Sequence, residues 1–413
     1  MLGMDASLGR GQFFGEELRD IAAEHCSGVP YLPSAPCGGD QPFRSNSGVA
    51  NYFGVGAYLR PLEDVRRAEV RFASECLAFA NVPEPEMLEE MACDTSEGIS
   101  PAHPAWKRGV QRDSGADWDF EDVRDHYLKL LYSVDPAELR STDLDRYWEL
   151  SRMVSGEVMA EVFGEWRRPA SPCGGGIILW GADLQPGAGW GILDSRGKPK
   201  AAYWFLKRGL APCTVWTTNE GLNGIDIHVS NDGPEPIDVR LRVALYQSGK
   251  RRIAESCTAA AIGSHKTQTY HLEQILGRFI DASYAYRFGP SGHDLVAVSL
   301  YNSHTDIPFA QSFRFPVDRT TQRTPISELG LTGETQVLAD GSIELLLSAC
   351  RFAWGVRVAA PGFLPDDAYF GIEPGCQRRV VLNSLRSGHA PERTVVTAIN
   401  AEGYVQIPVA RLV

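Results

Sequence analysis

Residues 69–75 read Glu-Val-Arg-Phe-Ala-Ser-Glu, and the fold class follows from this stretch and its neighbours. The pattern predicts a short strand over 69–73 that ends at Ser74-Glu75. A short helix is predicted before it, over 60–67, and earlier still a run rich in β-formers and glycine, Gly-Val-Ala-Asn-Tyr-Phe-Gly-Val-Gly-Ala-Tyr, occupies 48–58. Nearer the amino terminus, Phe14, Leu18, Ile21 and Ala22 form the apolar stripe of an amphipathic helix over 12–26. A Ser27-Gly28 turn then leads into a strand expected over 29–32, closed by Pro33. Downstream, Gly174-Gly175-Gly176 introduces a buried strand over 177–180, and a helix is predicted over 198–210. Short apolar strands separated by helices indicate a parallel α/β sheet or barrel.

Between the third and fourth of these strands lies a long helical insertion, residues 84–170. One helix over 119–132 repeats Phe120, Val123, Tyr127, Leu128 and Leu131. Another over 142–166 opens on a capping-box pattern, Thr142 with Asp145, and carries Tyr147, Leu150, Val154, Val158 and Val162 on one face. After Pro212 the period changes to two: Ile237, Val239, Leu241, Val243 and Leu245 alternate with Asp238, Arg240, Arg242 and Ala244. Asn231-Asp232-Gly233-Pro234 before them is strong turn chemistry. Further strands are predicted over 295–301, 343–348, 354–358, 379–382, 394–399 and 404–409. The spacing predicts two consecutive antiparallel sandwiches, divided within the polar stretch 317–332.

Composition narrows the function. The chain has 413 residues, with 40 Lys plus Arg against 52 Asp plus Glu and a formal charge of −12. An acidic chain without a dense basic run is a poor ligand for nucleic-acid phosphates or anionic membranes. No apolar run approaches the roughly 20 residues of a membrane span, and residues 1–18 lack a secretory pattern. The nine cysteines (Cys26, Cys37, Cys76, Cys93, Cys173, Cys213, Cys257, Cys350 and Cys376) contain no C-x-x-C pair. They read as separate reduced thiols, which points to the cytoplasm and to neither a disulfide framework nor a zinc site. The dispersed histidines add no metal motif, so no cofactor and no metal are expected.

Glu75 is the leading candidate for chemistry. The carboxyl-terminal edge of a parallel strand is where α/β barrels present reactive groups, and a carboxylate there can be nucleophile or base. The plainer alternative is a polar residue ending a strand. Tyr52, Phe53, Tyr58, Trp180 and Trp190, near other strand ends, suit a sugar cleft, since flat apolar pyranose faces stack on rings; core packing explains any single one as well. Asp183 is placed either to bond a hydroxyl or to cap a loop.

At these residues a resemblance enters. Arg71-Phe72-Ala73-Ser74-Glu75 resembles the nucleophile strand of glycoside hydrolase family 2, in its β-mannosidase branch. Leu179-Trp180-Gly181-Ala182-Asp183 is similar to that branch's eighth barrel strand, Tyr-Trp-Gln-Leu-Asn. Gly189-Trp190-Gly191-Ile192-Leu193-Asp194 with Gly197-Lys198-Pro199-Lys200 resembles its continuation into the last barrel helix. Asp367-Ala368-Tyr369-Phe370 with Glu373-Pro374-Gly375 resembles the signature of its terminal immunoglobulin-like domain.

The resemblance implies strands 5–8 of a (β/α)8 TIM barrel over 1–211, followed by immunoglobulin-like β-sandwiches over 212–316 and 333–413. It implies a retaining glycosidase acting on β-mannosides, with two carboxylates about 5–5.5 Å apart. Glu75 takes the nucleophile position, and Asn51, Tyr52, Trp180, Asp183 and Trp190 become substrate-binding candidates. Asn51 stands where a His is expected, and Cys76-Leu77 where an aromatic residue and Gly are common. The acid/base Glu of such enzymes ends the fourth strand, so residues 1–12 would correspond to the loop after it. On that reading the chain is a fragment, silent alone and needing a complementary amino-terminal half or self-assembly. The alternative from another class is a noncatalytic carbohydrate-binding or scaffolding protein on a degenerate barrel. A β-galactosidase or β-glucuronidase relative would share the mechanism.

Overall fold

A computed structural model provides the structure of the chain and describes residues 12–39, 41, 44–93, 95, 98–317, 319, 321–385 and 393–408. The expectation for residues 1–11 and the end of the strand predicted over 404–409 lie outside them. The chain forms two compact units, Met1–Ala78 with Ala170–Leu179, and Phe79–Pro169 with Trp180–Val413.

The first unit is organised by a parallel sheet of β1 (Ala50–Tyr52), β2 (Ala73–Cys76) and β3 (Gly176–Ile178), with β2 in the middle. Ala50, Tyr52, Val55, Val65, Val70 and Ala73 are buried around it. The sequence expectations need four corrections here, the first being that the buried strand expected over 177–180 forms over Gly176–Ile178 with Ile177 56% exposed. The strand expected over 29–32 is not formed. A strand must place its N–H and C=O groups on a neighbour; here Val29 N–H closes a turn onto Cys26 O (3.1 Å) instead. Val29 and Leu32 stay 68% and 54% exposed.

The run over 48–58 contributes only β1, because the chain turns back on itself, Tyr58 N–H bonding Phe53 O (3.0 Å) and Arg60 N–H bonding Gly54 O (2.9 Å). The strand expected over 69–73 forms four residues later. Glu69 takes a left-handed φ of 45°, which interrupts an extended chain. Glu75 thus lies inside the strand and not beyond its end. The expected amphipathic helix is present, as a π-turn over Phe13–Glu17 continuing into Leu18–His25, with none of its residues buried.

In the second unit the helical insertion follows its sequence pattern closely. Helix Phe120–Tyr132 starts on Asp119, whose carboxylate accepts from Glu121 N–H (2.9 Å), while Asp122 returns the bond to Asp119 N–H (2.9 Å). Its stripe of Phe120, Val123, Tyr127, Leu128 and Leu131 is buried. Helix Leu144–Trp166 buries Tyr147, Leu150, Val154, Val158 and Val162. Its cap is Asp143 and not Thr142: Asp143 accepts from Arg146 N–H (3.0 Å), and Thr142 closes the preceding helix Pro136–Thr142 by donating to Glu138 O (2.8 Å).

Helix Ala201–Gly209 leads into seven strands: β4 (Cys213–Asn219), β5 (Ile225–Asn231), β6 (Ile237–Gln247), β7 (Arg251–Ile262), β8 (Lys266–His271), β9 (Leu295–Tyr301) and β10 (Ala310–Arg314). They form antiparallel sheets of order β4-β5-β8 and β10-β9-β6-β7, which share one apolar core including Ile227, Val229, Leu241, Val243, Val298 and Leu300. A second pair of sheets follows. Thr332–Val337, Ile343–Ser348, Gln377–Ser384 and Phe363–Pro365 make one; Phe370–Ile372, Ala353–Ala359, Thr394–Thr397 and Val405–Ile407 make the other. Leu345, Leu347, Val356, Val380, Leu382 and Val396 lie between them. No helix among the described residues is long and apolar enough to cross a membrane.

Candidate active site

Glu75 owes its placement to a fault in the register of β2. Across β1 and β2, Ala50 faces Ala73 but Asn51 already faces Glu75, so one step on β1 matches two on β2. On the other side Ala73 faces Gly176 and Cys76 faces Ile178, three steps against two. The additional residue therefore belongs to β2, between Ala73 and Cys76. Such a bulge bends the strand and re-aims the side chains it carries. Immediately after the strand, Leu77 is fully buried with a left-handed φ of 58°. A bulky residue there is strained, and such strain is held only where the surroundings over-determine it.

Within the bulge Ser74 and Glu75 are half-buried between buried Ala73 and Cys76. Ser74 Oγ donates to Asn51 Oδ1 (2.8 Å), which fixes the amide of the residue paired with Glu75. Among the described residues no hydrogen bond or ion pair engages the Glu75 carboxylate. Tyr52 has a different part. It is buried, its hydroxyl donates to Asp64 Oδ2 (3.0 Å) and accepts from Val55 N–H (3.4 Å), and its ring fills the space beside Gly54.

Cys76 closes the strand, fully buried, with Sγ donating to Ile177 O (3.3 Å). Burial, aided by nearby Cys173, pushes its thiol up to about 12. The thiolate, the reactive form, is thus suppressed at Cys76. Alkylation of the native protein at pH 8 is therefore expected to modify exposed Cys26, Cys93, Cys257 and Cys350 long before Cys76. Peptide mass spectrometry over time reads this order, and early modification of Cys76 would contradict its burial.

The remaining candidates, Trp180, Asp183 and Trp190, share one loop of the second unit. Trp180 is 41% exposed and meets Trp190 edge to face (centroids 6.0 Å); Trp190 in turn packs on Phe120 (4.8 Å). One ring thus faces solvent on a braced partner. Asp183 is buried and fully engaged. It accepts from Gly191 N–H (2.7 Å) and pairs with the buried Lys200 ammonium. Lys200 also donates to Asn81 O (2.8 Å).

Burial pushes the Asp183 carboxyl above the ordinary carboxylate range, against the opposing pull of Lys200 and the backbone N–H groups. The same burial pushes the Lys200 ammonium down, against Asp183. Gly189 and Gly191 leave the room this needs, since a Cβ on either would come within 2.3 or 2.4 Å of Asp183 atoms. Sequence reasoning missed Lys200 and Asn81, whose side-chain amide donates to Trp190 O (2.9 Å); no local signal joins residues so far apart.

No family model matches the chain. A β-mannosidase B of Aspergillus clavatus is 22% identical over 288 residues, 66% of this chain and 33% of that protein. A β-mannosidase B of Thermothelomyces thermophilus is 30% identical over 90 residues, 21% of this chain and 10% of the relative. Among solved structures, the β-D-mannosidase of Dictyoglomus thermophilum superposes with a TM-score of 0.77 at 16% identity, over 97% of this chain and 45% of that one. The chain is similar to the carboxy-terminal portion of a glycoside hydrolase family 2 β-mannosidase.

The β-mannosidase likeness extends to a second enzyme. An exo-chitosanase of Amycolatopsis orientalis gives a TM-score of 0.66 at 14% identity, over 95% of this chain and 50% of that chain. At such identities the structural matches establish the fold. The chain spans about a third of the length of the Aspergillus relative and about half of the two enzyme chains it superposes on. The relatives named are glycosidases.

Proposed function

We propose that the chain carries the nucleophile of a retaining glycoside hydrolase of β-mannosidase type, and that Glu75 is that nucleophile. The observation that carries this reading is a carboxylate with no hydrogen bond or ion pair among the described residues, on the bulged central strand of a parallel sheet, in a chain similar to β-mannosidases. In this reading residues 1–211 are part of a TIM barrel, and 212–316 and 333–413 are immunoglobulin-like sandwiches. Glu75 attacks the anomeric carbon, the C–O bond to the leaving group breaks, and water later hydrolyses the glycosyl ester. Asn51, paired with Glu75 across the sheet, holds a sugar hydroxyl. Tyr52 supports that strand, since its hydroxyl is already bonded within the protein.

A second carboxylate acts as acid and then base in such a reaction. None of the candidate residues here fills that role. A leaving group that needs little protonation bypasses it, so the test uses 2-deoxy-2-fluoro-β-mannosyl fluoride on the purified chain. One adduct, on the peptide containing Glu75 and lost in Glu75→Gln, is the expected result by mass spectrometry. No adduct, or an adduct that survives Glu75→Gln, would refute the assignment. Retained mannoside affinity in that unlabelled case would favour a noncatalytic sugar-binding protein.

A further inference from the structure

Within the second unit a cavity of about 140 Å³ lies between helix Leu144–Trp166, helix Ala201–Gly209, strands β4 and β10, and the sheet containing Phe370–Ile372. On a scale where one water needs about 10–15 Å³, it has room for roughly ten, so it is no packing defect. Its lining is strongly charged. Arg208, Arg314, Arg319 and Arg378 face it, with Glu157 and Glu161. Arg314 pairs with Glu161 (2.9 Å) and Arg319 with Glu157, and these cancel. Arg208 and Arg378 share a single carboxylate, one on each oxygen of Asp367 (both 2.5 Å). Adjacent Lys207 and Asp366 add one charge of each sign. One positive charge is left over.

Three donors also lack an acceptor. Trp216 Nε1, Trp354 Nε1 and Arg378 Nε are buried with no hydrogen-bond partner among the described residues, and all three side chains line the cavity. Buried donors are nearly always satisfied. Three unsatisfied donors on one roomy cavity with surplus positive charge call for an acceptor that the described residues do not supply. Guanidinium groups suit tetrahedral oxyanions, which accept several N–H bonds at once. Beside them Phe205, Phe313 and Trp354 form an apolar wall.

We propose that this cavity binds a phosphoryl group, free or borne by a sugar, with Arg378 and the Trp216 indole N–H donating to its oxygens and the aromatic wall taking an attached ring. This site stands apart from any role of Glu75, and its test needs no turnover. Isothermal titration of the full chain with inorganic phosphate, mannose 6-phosphate and mannose separates the two sources. Both phosphates should bind and mannose should not; tighter binding of the sugar phosphate would identify the phosphorylated sugar, and equal binding the free anion. Trp216→Phe keeps the ring and removes only the N–H, and Arg378→Gln leaves Asp367 to Arg208. Each should weaken phosphate binding by about tenfold or more, as expected for a hydrogen bond to a charged group. Absence of phosphate binding at millimolar concentration, or affinities unchanged in both folded variants, would overturn the proposal.

Discussion

Lys200→Met is expected to destabilise the protein by about 3–5 kcal/mol, because it strands the Asp183 carboxylate without its cation in a buried site. Among the described residues the ammonium is the only charge paired with Asp183, and it also ties Asn81 O to the loop. Adding Asp183→Asn should restore much of the loss, since the double variant leaves no buried charge. The pH dependence has a definite sign. Burial already raises the Asp183 carboxyl, and removing Lys200 removes the main opposing influence. A carboxyl raised in the folded state binds its proton there before the unfolded chain does, so lowering the pH favours folding. The deficit of Lys200→Met relative to the parent should therefore shrink between pH 8 and pH 5. Urea denaturation at several pH values measures it; a deficit that grows on acidification would show that Asp183 is not the stranded group.

The same residues show how far the sequence could be read. Helix faces were legible because a period of 3.6 needs only the chain's own spacing, and the stripes of Phe120–Tyr132 and Leu144–Trp166 are buried as that spacing implies. Where two local signals competed, the reading slipped by one: Thr142 and Asp143 both suit a cap, and tertiary context gave it to Asp143. Glu75 could be singled out, but its bulge could not, since a register fault is defined by the strands on either side. Asp183 looked like a residue for a sugar hydroxyl because its partner Lys200 lies a helix-start away in sequence. Arg242 looked solvent-facing by alternation, yet it is buried. Polar residues are assigned by partners, and partners are long-range.

Arg242 leads to the second large effect. Its guanidinium meets Glu373, which is fully buried and accepts four hydrogen bonds. Oε2 takes Arg242 Nη1 (2.7 Å) and the Tyr246 hydroxyl (2.9 Å), both on β6; Oε1 takes Ser299 Oγ (2.8 Å) on β9 and Gln311 Nε2 (3.0 Å) on β10. Glu373 itself follows strand Phe370–Ile372 in the second pair of sheets, so one carboxylate joins three strands of one pair to the other. Glu373→Ala leaves a buried guanidinium and three polar donors facing a void, and should cost about 3–5 kcal/mol. Glu373→Gln keeps the shape and two acceptor positions and should cost less.

The location of the loss distinguishes this from a generic core defect. If Glu373 couples the two pairs of sheets, unfolding of the alanine variant should separate into two transitions in urea, where the parent shows one. The second pair carries Trp354 and the first Trp216, so the emission change should divide between the steps and Trp→Phe variants can assign them. A single transition displaced by less than about 1 kcal/mol would mean that the apolar contacts alone hold the sheets together and that the buried charge cluster contributes little.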